Sequence, residues 1–99
     1  MNQSKSDEKR KLKMIEDILN HPVPGEVYIE TSGRIWKELV LRHFNKLERK
    51  ELTLMELVKW LETKESVKYS QKYELVKYPI IECIKYISKV TKRPITIIE

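Results

Sequence analysis

Apolar residues fall into a helical rhythm in four stretches of this chain and into strict alternation in only two. Leu12, Ile15, Ile18 and Leu19 recur three and four apart, which predicts a first helix capped by Ser6, with Asp7 and Glu8 in its first turn. Met1 to Lys5 are polar and aperiodic, so residues 1–5 are read as a flexible tail and residues 6–99 as a single domain. The first helix should close near Asn20, before His21-Pro22 and the turn signal Pro24-Gly25. Val27 and Ile29 then alternate with Glu26, Tyr28 and Glu30, the pattern of a short half-buried strand from Glu26 to Glu30.

Thr31, Ser32 and Gly33 supply a break and a cap for a second helix, Gly33 to Glu48. Its wide apolar stripe consists of Ile35, Trp36, Leu39, Val40, His43, Phe44 and Leu47. Thr53 opens a third helix with Glu56 three residues on, a capping box, and Leu54, Leu57, Val58 and Leu61 form its inward face. Thr63 to Ser66 read as a turn. From Ser70 to Val90, the residues Tyr73, Val76, Ile80, Cys83, Ile84, Ile87 and Val90 keep one phase straight through Pro79, which favours a single kinked helix. In the alternative, Pro79 opens a separate helix and Val67 to Tyr78 forms another structure such as a hairpin. Arg93-Pro94 ends the helix, and Ile95 to Ile98 form a terminal strand whose evident partner is Glu26 to Glu30. The predicted order is α-β-α-α-α-β, a mainly helical α+β domain of three to four helices with a small two-stranded β-sheet.

Composition narrows the setting. Ninety-nine residues at 40% apolar content close one core and not two. The longest apolar runs, Tyr78 to Ile81 and Ile95 to Ile98, fall far short of a membrane span, and the polar N-terminus is no signal region. A cytoplasmic protein without membrane contact is expected. The lone Cys83, with Ile80, Ile84 and Ile87 around it, should pack as a small apolar residue. There is no alanine, and fifteen lysines stand against five arginines, a balance that suits a thermophile. A microbe or virus with an AT-rich genome would fit.

Charge is distributed unevenly. From Lys64 to Arg93 the chain carries seven lysines and one arginine against Glu65, Glu74 and Glu82, so the net +5 of the whole protein resides there. Four of five tyrosines (Tyr69, Tyr73, Tyr78 and Tyr86) lie in the same stretch. Cations beside flat rings suit a polyanion with exposed bases. On a helical wheel Lys77, Lys85, Lys89 and Lys92 fall on the side away from the isoleucines, together with Glu74 and Glu82. Two further basic sets are Lys9, Arg10, Lys11 and Lys13 near the N-terminus, and Arg34, Lys37 and Arg42 on the second helix.

Catalytic chemistry finds no support. His21 and His43 lack ligand-spaced partners, so no metal is expected, and no activated nucleophile or glycine-rich phosphate loop occurs. The chain should be no enzyme and need no cofactor.

Thr53 to Val90, a short capped helix, a turn and a longer amphipathic helix, resembles a helix-turn-helix. With the Gly33 to Glu48 helix before it and strands flanking it, Thr31 to Glu99 resembles the winged-helix DNA-binding domains of small archaeal or viral regulators. The turn Thr63-Lys64-Glu65-Ser66 departs from that pattern in having no glycine, and no two-stranded wing follows the last helix. The resemblance implies a DNA-binding protein of transcription regulation that meets duplex DNA as a homodimer. Lys64, Lys68, Lys72, Lys77, Lys85 and Lys89 are the candidate phosphate contacts, with Tyr69 and Tyr73 as groove or stacking contacts. RNA or single strands are the other nucleic-acid partners to test. The competing class is a protein-protein interaction module or assembly subunit that uses the kinked helix, Trp60 and the terminal strand.

Overall fold

Four helices carry the chain, and the last three supply most of its buried apolar side chains. A computed structural model describes residues 2–69 and 72–99, with side chains from residue 7 onward. The elements are α1 (Asn2–Asn20), a 3-10 turn (Glu26–Tyr28), α2 (Gly33–Asn45), β1 (Glu51–Thr53), α3 (Leu54–Glu62), α4 (Tyr73–Thr91) and β2 (Thr96–Ile98). The protein is mainly helical, with one small two-stranded sheet.

Of the stripe read on α2, Trp36, Val40 and Phe44 are buried and Leu39 and His43 half-buried, whereas Ile35 is exposed; Leu41, outside that stripe, joins the core, and the helix stops at Asn45, short of Leu47 and Glu48. From α4, Val76, Ile80, Cys83, Ile84 and Ile87 face them, and α3 adds Leu54, Leu57, Val58 and Leu61. Ile18 and Leu19, near the end of α1, pack against α2 and α4, whereas residues 7–13 of that helix are exposed. Each fully buried Leu, Ile or Val stabilises the fold by about 1.5–3 kcal/mol relative to leaving it in water. The triangle of α2, α3 and α4 is therefore where this fold is held.

Several sequence expectations are corrected. The helical backbone of α1 reaches Asn2, so Ser6 lies inside the helix and is not its cap; side chains of residues 1–6 lie outside the described residues. Thr53 does precede α3 at the cap position, yet its side chain makes no capping hydrogen bond, and the same holds for Ser32 at the start of α2. Pro79 sits inside α4, which runs on to Thr91, so a separate helix opening at Pro79 and a hairpin over Val67 to Tyr78 are both excluded. Ser70 and Gln71, where the sequence starts this helix, lie outside the described residues, and its first helical residue is Tyr73.

The predicted strand Glu26 to Glu30 does not form. Gly25 adopts a left-handed conformation (φ 79°) and feeds the chain into the 3-10 turn instead, which leaves Val27 80% exposed. Of that segment only Ile29 makes a sheet contact, an isolated antiparallel bridge to Tyr69. The C-terminal strand pairs elsewhere: β2 runs parallel to β1, with Leu52 opposite Ile97. Parallel pairing needs a long crossover between the two strands, and here α3 and α4 together supply it.

Gly33 has a spatial role. A Cβ there would stand 3.1 Å from Glu26 Oε1 and 3.3 Å from Lys37 Nζ, so its bare backbone leaves room for the ion pair between those two side chains. Lys37 is 2% exposed, a charged residue inside the core. Its ammonium also donates to the carbonyl of His21.

Candidate nucleic-acid interface

Because α4 buries one face against α2, the opposite face must meet solvent. Lys85 and Lys89 stand there, one helical turn apart and both exposed. Tyr78, 53% exposed, shares this face. Lys85 lies 3.8 Å from Glu82, a long surface contact that leaves its ammonium largely hydrated. Lys89 makes no ion pair among the described residues. Lys77 differs: half-buried between the rings of Tyr73 and Tyr78, its Nζ lies 3.4 Å from a Glu99 carboxylate oxygen.

The segment between α3 and α4 spans ten residues (63–72), so the four-residue turn is its first part and not the whole connection. Its later part crosses to Ile29, and Thr31 fastens it by accepting from the Lys68 N–H and donating to the Ser66 carbonyl. Lys68 and Lys72 are exposed on this segment. Lys64 is not free, because its ammonium lies over the Trp60 ring at 4.5 Å. Tyr69 is half-buried and donates to the Val58 carbonyl, and burial, helped by Glu62, raises its phenol above the usual range. Tyr73 is half-buried too, with an enclosed hydroxyl that has no partner among the described residues. Of the eight candidate contacts, Lys68, Lys72, Lys85 and Lys89 face water, while Lys64, Lys77, Tyr69 and Tyr73 are engaged or enclosed.

Arg34, Lys37 and Arg42 on α2 do not offer free cations. Arg34 binds Glu16 at 2.9 Å and Asn20, and its guanidinium holds the Glu16 carboxyl below the usual carboxylate range. Arg42 pairs with Glu38, and Lys37 is the buried partner of Glu26. Lys9, Arg10, Lys11 and Lys13 remain exposed on α1.

Sequence reasoning missed a second basic site. A cavity of about 260 Å³ opens between the ends of α2 and α4, lined by residues 47–50 and 92–95 together with Phe44. The signal was the pair of dipeptides Arg49-Lys50 and Lys92-Arg93, each following a helix, which only the fold brings together. A shallower hollow of about 200 Å³ lies beside Lys85 and Lys89, walled by Tyr86 and by His21, whose rings stack at 3.6 Å.

Reactive groups elsewhere are quiet. His43 packs against Trp60, and burial holds its imidazole below the usual range, with Glu56 opposing and Lys46 assisting. Trp60 is half-buried, with His43 tilted against its ring and the Lys64 ammonium over it. Burial pushes the Cys83 thiol up to about 12, with Lys37 opposing and Glu26 assisting. A folded-state value above the unfolded one means that the thiol contributes stability below the unfolded value. That contribution is lost as the pH rises from roughly 9 towards 12, because the unfolded thiol ionises first. Native Cys83 is therefore expected to resist alkylation at pH 8, with mass-spectrometric labelling appearing only under denaturant; rapid native labelling would show that the thiol reaches water.

No group of His, Cys, Asp and Glu suited to a metal ion occurs among the described residues, and no described helix is long and apolar enough to cross a membrane. Compared with known proteins, the chain matches no family model, no curated protein and no solved structure.

Proposed function

We propose that this chain binds nucleic acid, duplex DNA in the first instance, through the exposed lysine face of α4. The observation that carries this reading is the placement of Lys85 and Lys89 one turn apart, opposite the buried isoleucines. Lys68 and Lys72 extend the positive field along the segment entering α4. Phosphate contacts of this kind set affinity and register, while base edges set sequence preference. Tyr78 is the one aromatic ring of this face open to a base, a role first given to Tyr69 and Tyr73.

The winged-helix type of regulator is proposed on element order alone, α2, β1, α3, α4 and β2, since β2 runs parallel to β1 and no hairpin wing follows α4 among the described residues. The ten-residue connection before α4 is longer than a helix-turn-helix turn, so α4 would meet DNA along its exposed C-terminal half and not by a tight turn. A homodimer, cytoplasmic and acting in transcription regulation without a cofactor, completes the proposal.

A mobility-shift titration with duplex, single-stranded and RNA probes tests it. Lys85→Glu/Lys89→Glu is expected to weaken duplex binding at least about tenfold and to flatten its salt dependence, since each lost phosphate contact lowers the slope by roughly one. The complex should contain two chains per duplex. Undiminished affinity in the double variant removes the α4 face, and salt-insensitive binding to a protein partner favours an interaction module instead.

A further inference from the structure

We propose that the cavity between the ends of α2 and α4 binds the phosphate group of a phosphomonoester, held by Arg49, Lys50, Lys92 and Arg93. This inference does not rest on the α4 lysine face, because Lys85 and Lys89 do not line the cavity.

Charge selects the ligand. Four cations and the single carboxylate of Glu48 give the lining a formal +3. None of the four cations forms an ion pair among the described residues. Two helices end here, and their C-terminal carbonyls place roughly half a negative charge each at the site. Together those two half-charges offset about one of the three positive charges. The surplus is about two positive charges, which matches the charge of about −1.5 to −2 on a phosphomonoester better than the single charge of a phosphodiester.

Geometry points the same way. Arg93 is set in advance: its guanidinium lies 4.8 Å from the centre of the Phe44 ring, its N–H donates to the Ser88 carbonyl, and Ser88 Oγ donates back to its carbonyl at 2.7 Å. A guanidinium so held loses little freedom on taking two phosphate oxygens. Lys92, beside it, has a left-handed backbone (φ 57°) and is the one non-glycine residue in that state among the described residues. Glycine is the usual occupant of this position after a helix, so a lysine there keeps a cation at the rim at a steric cost. The volume of about 260 Å³ admits phosphate together with a small attached group, and Leu47, Pro94 and Ile95 offer an apolar wall to a sugar.

Amide chemical shifts of the intact protein, titrated with inorganic phosphate, adenosine 5′-monophosphate and adenosine, test the site. Phosphate and the monophosphate are expected to move Lys50, Lys92 and Arg93 saturably, and adenosine to leave them in place. Arg49→Gln should weaken the monophosphate about tenfold, the loss of one charge-assisted contact. Lys92→Gly should weaken it similarly while raising the melting temperature, because glycine accepts the left-handed turn without strain. A merely structural lysine would give the thermal gain without the loss of affinity. An adenosine response equal to that of the monophosphate, or unchanged affinity in both variants, overturns the proposal. A 5′-phosphorylated oligonucleotide binding more tightly than the monophosphate and than its 5′-hydroxyl form assigns the phosphate to a strand end. Equal binding of the two oligonucleotides, with the monophosphate still bound, upholds the site for a free nucleotide.

Discussion

Glu26→Ala is expected to destabilise the fold by about 3 kcal/mol, the lower end of what removing one partner of a buried ion pair costs. Lys37 has a side chain only 3% exposed, and its ammonium is held by the Glu26 carboxylate and the His21 carbonyl. Without the carboxylate a full charge would remain in the core with one neutral acceptor. Glu26 itself is 33% exposed at the side chain, which moderates the penalty, because water can enter part of the vacated space. The double variant Glu26→Gln/Lys37→Met should recover most of the loss, since an apolar chain of similar length suits the pocket beside Trp36. Urea unfolding followed by tryptophan fluorescence measures both, and a Glu26→Ala protein within 1 kcal/mol of the parent would mean that the ammonium reaches solvent.

Trp36→Ala should cost about 3–5 kcal/mol, whereas Trp36→Phe should cost far less. Trp36 has no exposed surface and packs where α2 meets the rest of the core, so truncation to alanine leaves a void that the surrounding helices close only in part. Its indole Nε1 has no hydrogen-bond partner among the described residues. Phenylalanine therefore gives up ring volume but no hydrogen bond. If the two variants unfold at the same urea midpoint, ring packing is not what makes this position costly.

The helices were legible because their apolar positions repeat over several turns: Trp36 to Phe44 on α2 and Val76 to Ile87 on α4 each mark one face. Phase also carried α4 through Pro79 correctly. Strand β1 was not legible, since a three-residue strand with one buried residue, Leu52, has no period to detect. Val27 and Ile29 had the alternation of a strand, yet backbone geometry at Gly25 overrode it, and Val27 faces water. Lys37 reads as a surface cation by residue type. Its place one turn before Leu41 on the buried side of α2 was the available clue, and its partner Glu26 comes from a different element. Lys85 and Lys89 could be placed on a solvent face from sequence, but the basic cavity could not, because Arg49 and Arg93 are 44 residues apart.

Parallel pairing of β1 with β2 has a kinetic meaning. Glu51 meets Thr96 across 45 positions, and closing a loop of that size costs chain entropy long before three short backbone pairs return anything. The pairing gains only once α3 and α4 have docked and brought its ends near each other. A clasp of this kind is expected to fasten last and open first, so changes at the half-buried Ile97 should act on how fast the protein comes apart and scarcely on how fast it assembles.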